Sequence, residues 1–507
     1  MRRALSTALL ALAATAPSAC DRSPTPLLPE PGPEILDSLP PGGRNPPQTT
    51  PAPDISTGPI ATWTVPRPDG SSSTGADTGA AQPGGASMPR PTEPPPAPPA
   101  IQPPGPDPEI LALMGTVRPD RLTRDVARLV AFGTRHPLSP DGDVTRGTAG
   151  ARTWLAEQLQ AAARGAAAQI TVEDEAFPLT LGGTSTMQQN VMATLTGIGE
   201  SKRLVYITAH YDSRTDDPLD ALSDAPGADD NASGAVALLE LARVLGLRQW
   251  DGSIRLMALA AGEHDQAGSR FHAPLAERVG LPIEGVINLD VIGGGPAGDG
   301  APVTDRVRAL SDDPDHSVSG ALARWARFVA ERYGALAVDV AQESDGDGEA
   351  SDHQPFADAG FPALRLMSAV HDASRQHTAR DTAERLDAAY HADVVRLVVA
   401  LAGNLALAPS GVPGRPAVDL QGAGALATWP ALDDPDVAGY WVAMRRANSP
   451  AYEDVKWVPA SDAPGHTFEE LMTPTGSWLF AVAAGDARGH VGRFGTETGL
   501  STMTAGR

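Results

Sequence analysis

The chain has 507 residues, 49 prolines, one cysteine and a formal net charge of -23. That charge excludes a nucleic-acid binder, because phosphate contacts depend on clustered Lys and Arg that release counterions; it suits an acidic extracytoplasmic protein. The lone Cys20 excludes an internal disulfide framework and a thiolate metal site.

Residues 1–20 read as an export signal, with Arg2 and Arg3 at the start, an apolar run from Ala4 to Ala14, and Ser18 and Ala19 before Cys20. The run is too short to span a bilayer as a mature helix. Small residues before a lone cysteine resemble a bacterial lipoprotein processing site, which implies a lipid on Cys20 as the only membrane attachment and a periplasmic or cell-envelope location. Ordinary cleavage nearby would give a secreted protein instead. Residues 21–106 are dominated by Pro, Gly, Ser and Thr without an apolar period, so they form a linker that cannot bury enough surface to offset its ordering entropy.

From Asp107 to Ala408 helical and strand patterns alternate, which predicts an α/β fold with a mostly parallel mixed sheet flanked by helices. Helical periods cover Arg121–Ala131, Ala149–Ala162, Ala232–Leu245, Ser317–Tyr333 and Ala383–Ala406. Short apolar runs at Asn190–Leu195, Leu204–Ala209, Ile254–Ala260, Gly285–Leu289 and Pro362–Met367 have the length of buried strands. Residues 409–507 change to Pro and Gly punctuation with strand candidates at Ala425–Trp429, Gly439–Met444 and Ser477–Ala483, predicting an all-β sandwich. Trp429-Pro430, Asp436 to Tyr440, Trp478 to Val482 and Asp486 resemble a fibronectin type III module, whose aromatic residues would be core.

The His and carboxylate candidates fall at the carboxyl ends of the predicted strands, where open α/β sheets place their sites. The first strand of the central set ends in His210-Tyr211-Asp212. A neutral imidazole suits zinc, and a carboxylate two residues on can accept its other ring N–H, although the same pair also occurs as an ordinary contact. Asp229 and Asp230, among small residues ahead of an apolar helix, would serve equally as helix caps or as a bridging carboxylate reached by two metals. Glu263 follows the next strand. Asp290 interrupts a buried run, and burying it unpaired would cost several kcal/mol, so it needs a cation or a cage of hydrogen bonds. His377, beyond the last strand, is the second imidazole that a two-metal site requires.

His210-Tyr211-Asp212, Gly227 to Gly234, the strand ending before Glu263, Asn288-Leu289-Asp290, Ser351-Asp352-His353-Gln354-Pro355-Phe356 and His377-Thr378 to Asp381-Thr382 stand in an order that resembles the M28 family of zinc peptidases. The resemblance spans 107–408. It implies two divalent ions, most simply Zn2+, one held by His210 and Asp290, the other by Glu263 and His377, with Asp230 bridging and Asp212 orienting His210. It also implies substrate contacts at Asp352 and His353, and an aminopeptidase that removes N-terminal residues of peptides through a shared water, whose pKa the ions lower.

Family members usually carry two consecutive glutamates here, a general base and then a ligand. An ungapped register sets Gly262 in the base position and Glu263 in the ligand position; a register shifted by one makes Glu263 the base and His264 the ligand. In the first register His264 or Asp265 would have to substitute as base, because general base catalysis is worth about 10²- to 10⁴-fold. Otherwise the domain is a weak or silent metal-binding homologue that holds peptides. A third reading is other chemistry on a small amine or amide. Oligomeric state and the role of the C-terminal module carry no sequence signal.

Overall fold

The computed structural model describes residues 102–140, 142, 144–296, 300–313, 316–342, 351–422, 424–469 and 476–502. The stretch expected to be an export signal, Cys20 and the expected linker through residue 101 lie outside them.

Three helices open the described chain: α1 (Pro108–Met114), α2 (Pro119–Val130) and α3 (Gly147–Arg164). Proline in the first turn of α1 and α2 loses no helical hydrogen bond, and Asp107 caps α1 by accepting the Glu109 amide at 2.8 Å. A hairpin follows, β1 (Ile170–Leu181) and β2 (Thr184–Leu195), of which only the apolar end, Asn190–Leu195, is legible as a buried run. The rest is rich in Thr, Glu and Gln and largely exposed, so it has no hydrophobic signature.

The next elements are β3 (Leu204–His210), α4 (Gly234–Leu245), β4 (Ser253–Leu259), α5 (Ala267–Arg278), β5 (Ile283–Leu289) and β6 (Arg306–Ser311). After them come α6 (Val318–Tyr333), β7 (Ala337–Gln342), α7 (Gln354–Asp358), β8 (Ala363–Ser368) and α8 (Ala388–Leu407). The eight strands form one sheet in the order β1-β2-β4-β3-β5-β8-β6-β7. The central neighbours β4, β3, β5 and β8 run parallel, whereas β1/β2, β2/β4 and β6/β8 are antiparallel. β3 and β8 are buried along their whole length, as strands covered by helices on both faces must be.

α8 begins five residues later than its periodicity predicts. Ala383–Arg385 forms a short 3-10 turn, and Asp387 accepts the Ala389 and Tyr390 amides to start the helix. α8 is long and apolar enough to cross a membrane, but its surface is spent inside the core of this fold.

The C-terminal region holds β9 (Ala417–Gln421), β10 (Gly424–Thr428), β11 (Gly439–Arg446), β12 (Asp454–Pro459), β13 (Gly465–Phe468), β14 (Gly476–Gly485) and β15 (Thr498–Thr502). They make two antiparallel sheets, β13-β10-β9 and β12-β11-β14-β15. β11 is buried on both faces, and its period-2 alternation sends its residues to two cores. Tyr440, Val442 and Met444 pack with Trp429, Trp478 and Phe480 between the sheets, as expected of core aromatics. Trp441 and Ala443 join the core of the α/β portion, where Trp441 meets Phe328 of α6 at 5.1 Å between ring centroids. Trp325 of α6 donates its indole N–H to the Val491 carbonyl at 3.1 Å. His490 is buried between two carboxylates, with Nδ1 2.6 Å from Asp486 and Nε2 2.7 Å from Asp107.

Candidate metal centre

The central parallel strands deliver their carboxyl ends to one edge of the sheet. His210 closes β3, Glu263 follows β4, Asp290 immediately follows β5 and His377 lies in the loop after β8. Asp230 comes from the turn Ala228–Ser233 that leads into α4. That turn is held from three sides. Asp381 accepts the amides of Asp229 and Asp230 at 3.0 Å, the Asp229 carboxylate accepts the Gly293 amide at 2.8 Å, and Asn231 donates to the Leu289 carbonyl at 2.8 Å. Gly227 makes the turn possible: its φ is +48°, and a Cβ there would stand 2.3 Å from the Asp230 carbonyl oxygen.

Two ligand groups converge on Asp230. Its Oδ1 is 3.4 Å from His210 Nε2, which is itself 3.5 Å from Asp290 Oδ1. Its Oδ2 is 3.2 Å from His377 Nε2, which is 2.9 Å from Glu263 Oε2. Asp230 Oδ2, Glu263 Oε1, Asp290 Oδ1 and His377 Nε2 are buried and make no aligned hydrogen bond among the described residues. Buried polar atoms that approach closely without hydrogen-bonding one another are costly unless a cation gathers them. Two imidazoles and three carboxylates form a donor set suited to zinc, with three protein ligands in each group. His377 sits in the left-handed region at φ +58°, as do Ala261 (+56°) and Val291 (+59°) beside the other ligand residues, so the ligand loops carry the kind of backbone strain common at functional sites.

The electrostatics follow from this crowding. Burial pushes the Glu263 carboxyl up to about 7, with Asp230 adding to the rise against the pull of His377. Burial opposes protonation of His377, but the carboxylates of Asp230 and Glu263 outweigh it and raise the ring to about 10. Burial likewise opposes ionisation of Asp290, and Arg365 at 3.1 Å turns the balance, holding it below the usual range. Protons and a metal compete for these atoms.

The chain matches peptidase family M28 over residues 190–402. A "Probable zinc metalloprotease" of Pyricularia oryzae is 33% identical over 345 residues, covering 60% of this chain and 67% of that protein. Another of the same description, from Pyrenophora teres f. teres, is 30% identical over 395 residues, covering 69% of this chain and 80% of that one. This chain belongs to peptidase family M28. Among solved structures the M28 chain is similar to LapB from Legionella pneumophila, at 22% identity and a TM-score of 0.47 over 58% of this chain and 73% of that one. It is also similar to BSAP, a zinc aminopeptidase from Bacillus subtilis, at 26% identity and 0.36 over 43% and 50%. As an M28 member it is a metal-dependent peptidase.

A cavity of about 240 Å³ opens over the two groups, lined by His210, Asp230, Glu263 and Asp290 with Gly262 and Asp352 among its other walls. Within the M28 domain this geometry corrects several expectations. Glu263, not His264, reaches Asp230 and His377, which removes the register that made His264 a ligand. His264 is turned toward His136, 4.8 Å away between ring centroids, and burial pulls it down to about 4; it does not line the cavity. Asp265 points outward, its side chain 83% exposed and paired with Arg270, so it cannot stand in as base. His353 is fully buried and does not line the cavity. Asp352 does line the cavity, and burial pushes its carboxyl up to about 6 against the opposing effects of His210 and Ser269.

Asp212 is buried beside His210, with 3.4 Å between Oδ1 and Nδ1, but its two oxygens also accept the Gly262 and Glu263 amides at 2.8 and 3.2 Å. It therefore anchors the ligand loop after β4 to the end of β3. Gly262 is more than a missing side chain: a Cβ there would lie 2.4 Å from His210 Cβ, 2.5 Å from its Cγ and 2.9 Å from Asp352 Oδ2.

Several residues of the site are not among the sequence candidates, Arg214 beside Glu263 at 3.1 Å being one. Arg135 is fully buried and donates to the carbonyls of Tyr211, Pro226 and Gly227 at 2.6–2.8 Å, tying the end of β3 to the Asp230 turn. Arg365 pairs with Asp290, and Ser351 donates to the same carboxylate at 2.6 Å. Arg365 interrupts the buried strand β8, and a charge inside an apolar run is a signal that could have found it; Arg135 stands in a polar loop and leaves no comparable trace.

Proposed function

We propose that the chain is an exported, two-zinc exopeptidase of the aminopeptidase type. The observation that carries the reading is the division of Asp230, one oxygen toward the His210/Asp290 pair and the other toward His377/Glu263. His210 and Asp290 would hold one ion and Glu263 and His377 the other, with Asp230 shared. Bound there, the ions would polarise the scissile carbonyl and lower the pKa of the attacking water. The chain's own residues do the rest. Asp381, Asn231 and Arg135 hold the shared carboxylate in place, Asp212 holds the Glu263 loop against β3, and Arg365 with Ser351 fixes Asp290. A cavity of about 240 Å³ is smaller than the roughly 300–1,000 Å³ of typical ligand clefts. It suits one terminal residue rather than an extended polypeptide.

The reading predicts about two zinc ions per chain, hydrolysis of peptides with a free N-terminus, and little action on their N-acetylated forms. No metal in the purified protein would defeat the site assignment, and equal cleavage of acetylated peptides would defeat the exopeptidase assignment. Export through residues 1–20, with a lipid on Cys20, belongs to the same proposal; mass spectrometry of the mature N-terminus tests it. A second reading, a weak or silent peptide-binding homologue, is favoured by the absence of a side chain at Gly262. Peptide binding by zinc-loaded protein without turnover would establish it.

A further inference from the structure

Hydrolysis needs a group that takes a proton from the attacking water and returns it to the departing amine. In this cavity the obvious carboxylates are committed. Asp230, Glu263 and Asp290 each present oxygens to an imidazole nitrogen of a ligand group. Gly262 supplies no side chain, and neither His264 nor Asp265 lines the cavity.

One carboxylate remains. Asp352, just ahead of α7, lines the cavity and is 1% exposed, yet it belongs to neither ligand group. Its two oxygens are treated differently. Oδ1 accepts the Ser269 hydroxyl of α5 at 2.5 Å, which fixes the rotation of the carboxylate. Oδ2 is buried and makes no hydrogen bond among the described residues. The unpartnered oxygen stands beside Gly262, 2.9 Å from where a Cβ would be, and His210 Cβ and Cγ lie 2.4 and 2.5 Å from the same point. Asp352 and His210 thus occupy the space that a side chain at 262 would need, and only a glycine fits beside both.

We infer that Asp352 is the catalytic proton-transfer residue of this site, with Oδ2 the atom that carries the proton. The inference rests on the hydrolytic reading above. Water gives a proton to Oδ2 while its lone pair forms the new C–O bond, and the C=O π pair moves onto the carbonyl oxygen. When that pair returns to carbon, the C–N bond breaks with its electrons on nitrogen, and Oδ2–H passes the proton to the amine. Ser269 keeps Oδ1 occupied, so Oδ2 is the only oxygen of Asp352 that turns to the substrate.

The test compares zinc-loaded wild type with Asp352→Asn, which keeps shape and an acceptor for Ser269, and with Asp352→Glu, which keeps a carboxylate. Hydrolysis of an aminoacyl p-nitroanilide, zinc per chain, and calorimetric affinity for the matching amino-acid hydroxamate are measured on each. Expected for Asp352→Asn are a fall in kcat of about 10²- to 10⁴-fold, KM within a few-fold, unchanged zinc, and hydroxamate binding weakened at least about tenfold because the inhibitor's exchangeable proton has lost its acceptor. Asp352→Glu should recover part of both losses. Retention of kcat and hydroxamate affinity by Asp352→Asn overturns the inference, as does zinc lost in step with activity or equal impairment of the Asn and Glu variants. A wild-type enzyme that hydrolyses nothing sinks the hydrolytic reading itself, and the inference with it.

Discussion

The M28 site and the His490 clasp are built from the same materials, buried imidazole between buried carboxylates, and differ in how the atoms meet. At His490 both ring nitrogens lie 2.6–2.7 Å from a carboxylate oxygen, and the Asp486 carboxylate also accepts the His490 amide. At His210 and His377 the approaches range from 2.9 to 3.5 Å, and of the facing atoms Asp230 Oδ2, Asp290 Oδ1 and His377 Nε2 make no aligned hydrogen bond among the described residues. The first is a finished hydrogen-bonded staple between Asp107 at the start of the described fold and the C-terminal sheets. The second is a donor set arranged around points that lie between its atoms. Residue type alone does not distinguish a ligand from a structural ion pair; alignment does.

Asp230 is the residue that the two ligand groups share. Asp230→Ala removes a donor from both groups, so both metals should be lost and hydrolysis should drop by about 10³-fold or more. Metal analysis alongside activity checks this, and an enzyme that keeps one full equivalent of zinc would show that the groups are independent. His490→Ala should do the reverse. It leaves Asp107 and Asp486 buried without their partner and should cost about 4 kcal/mol in denaturant unfolding, with zinc per chain unchanged. A parallel loss of zinc would mean that the two sites are not separate in kind.

His391 sharpens the contrast as a third way of burying an imidazole, with neither metal nor carboxylate. It faces the Ser233 carbonyl at 3.0 Å, and burial pushes it from 6.5 down to about 4. The folded ring thus resists a proton that the unfolded chain accepts below about pH 6.5. Its contribution is fully present above that pH and is lost as pH falls toward 4, amounting to roughly 3 kcal/mol. His391→Asn, which keeps an N–H donor, should flatten the stability profile between those limits; an unchanged slope would refute the assignment. The smallest effect is expected at Gly262. Gly262→Glu should reduce zinc affinity by about 10- to 100-fold by displacing His210, and calorimetric zinc titration reads it. A gain of activity would show that the site accepts a side chain after all.

Much of this was legible in the sequence because the central strands advertise themselves. Leu204–Ala209 and Gly285–Leu289 are short, mainly apolar runs stopped by His210 and Asp290, and a polar or charged group at the end of a buried strand is costly unless something binds it. β6 and β7 lack that contrast, and α5 carries Pro274 within a weakly patterned surface, so they left no clear signal. The clasp was invisible because Asp107 and His490 are 383 residues apart and ordinary in their local contexts. The role of Gly262 was legible as an absence. The collision that a side chain there would make with His210 depends on how closely the ends of β3 and β4 approach in space, which no local pattern encodes.

β11 has a consequence for how the chain is made. Ribosomal synthesis completes α6 long before the strands that cover it, and Val491, which receives the Trp325 indole, emerges 166 residues later. Until then the flank of α6 that meets Trp441 faces water as an incomplete core. The peptidase portion therefore reaches its final form only when translation is nearly finished, and a message truncated before codon 439 would yield a protein with its metal-ligand residues intact and a sticky wound on its back, a substrate for quality-control proteolysis rather than a smaller enzyme.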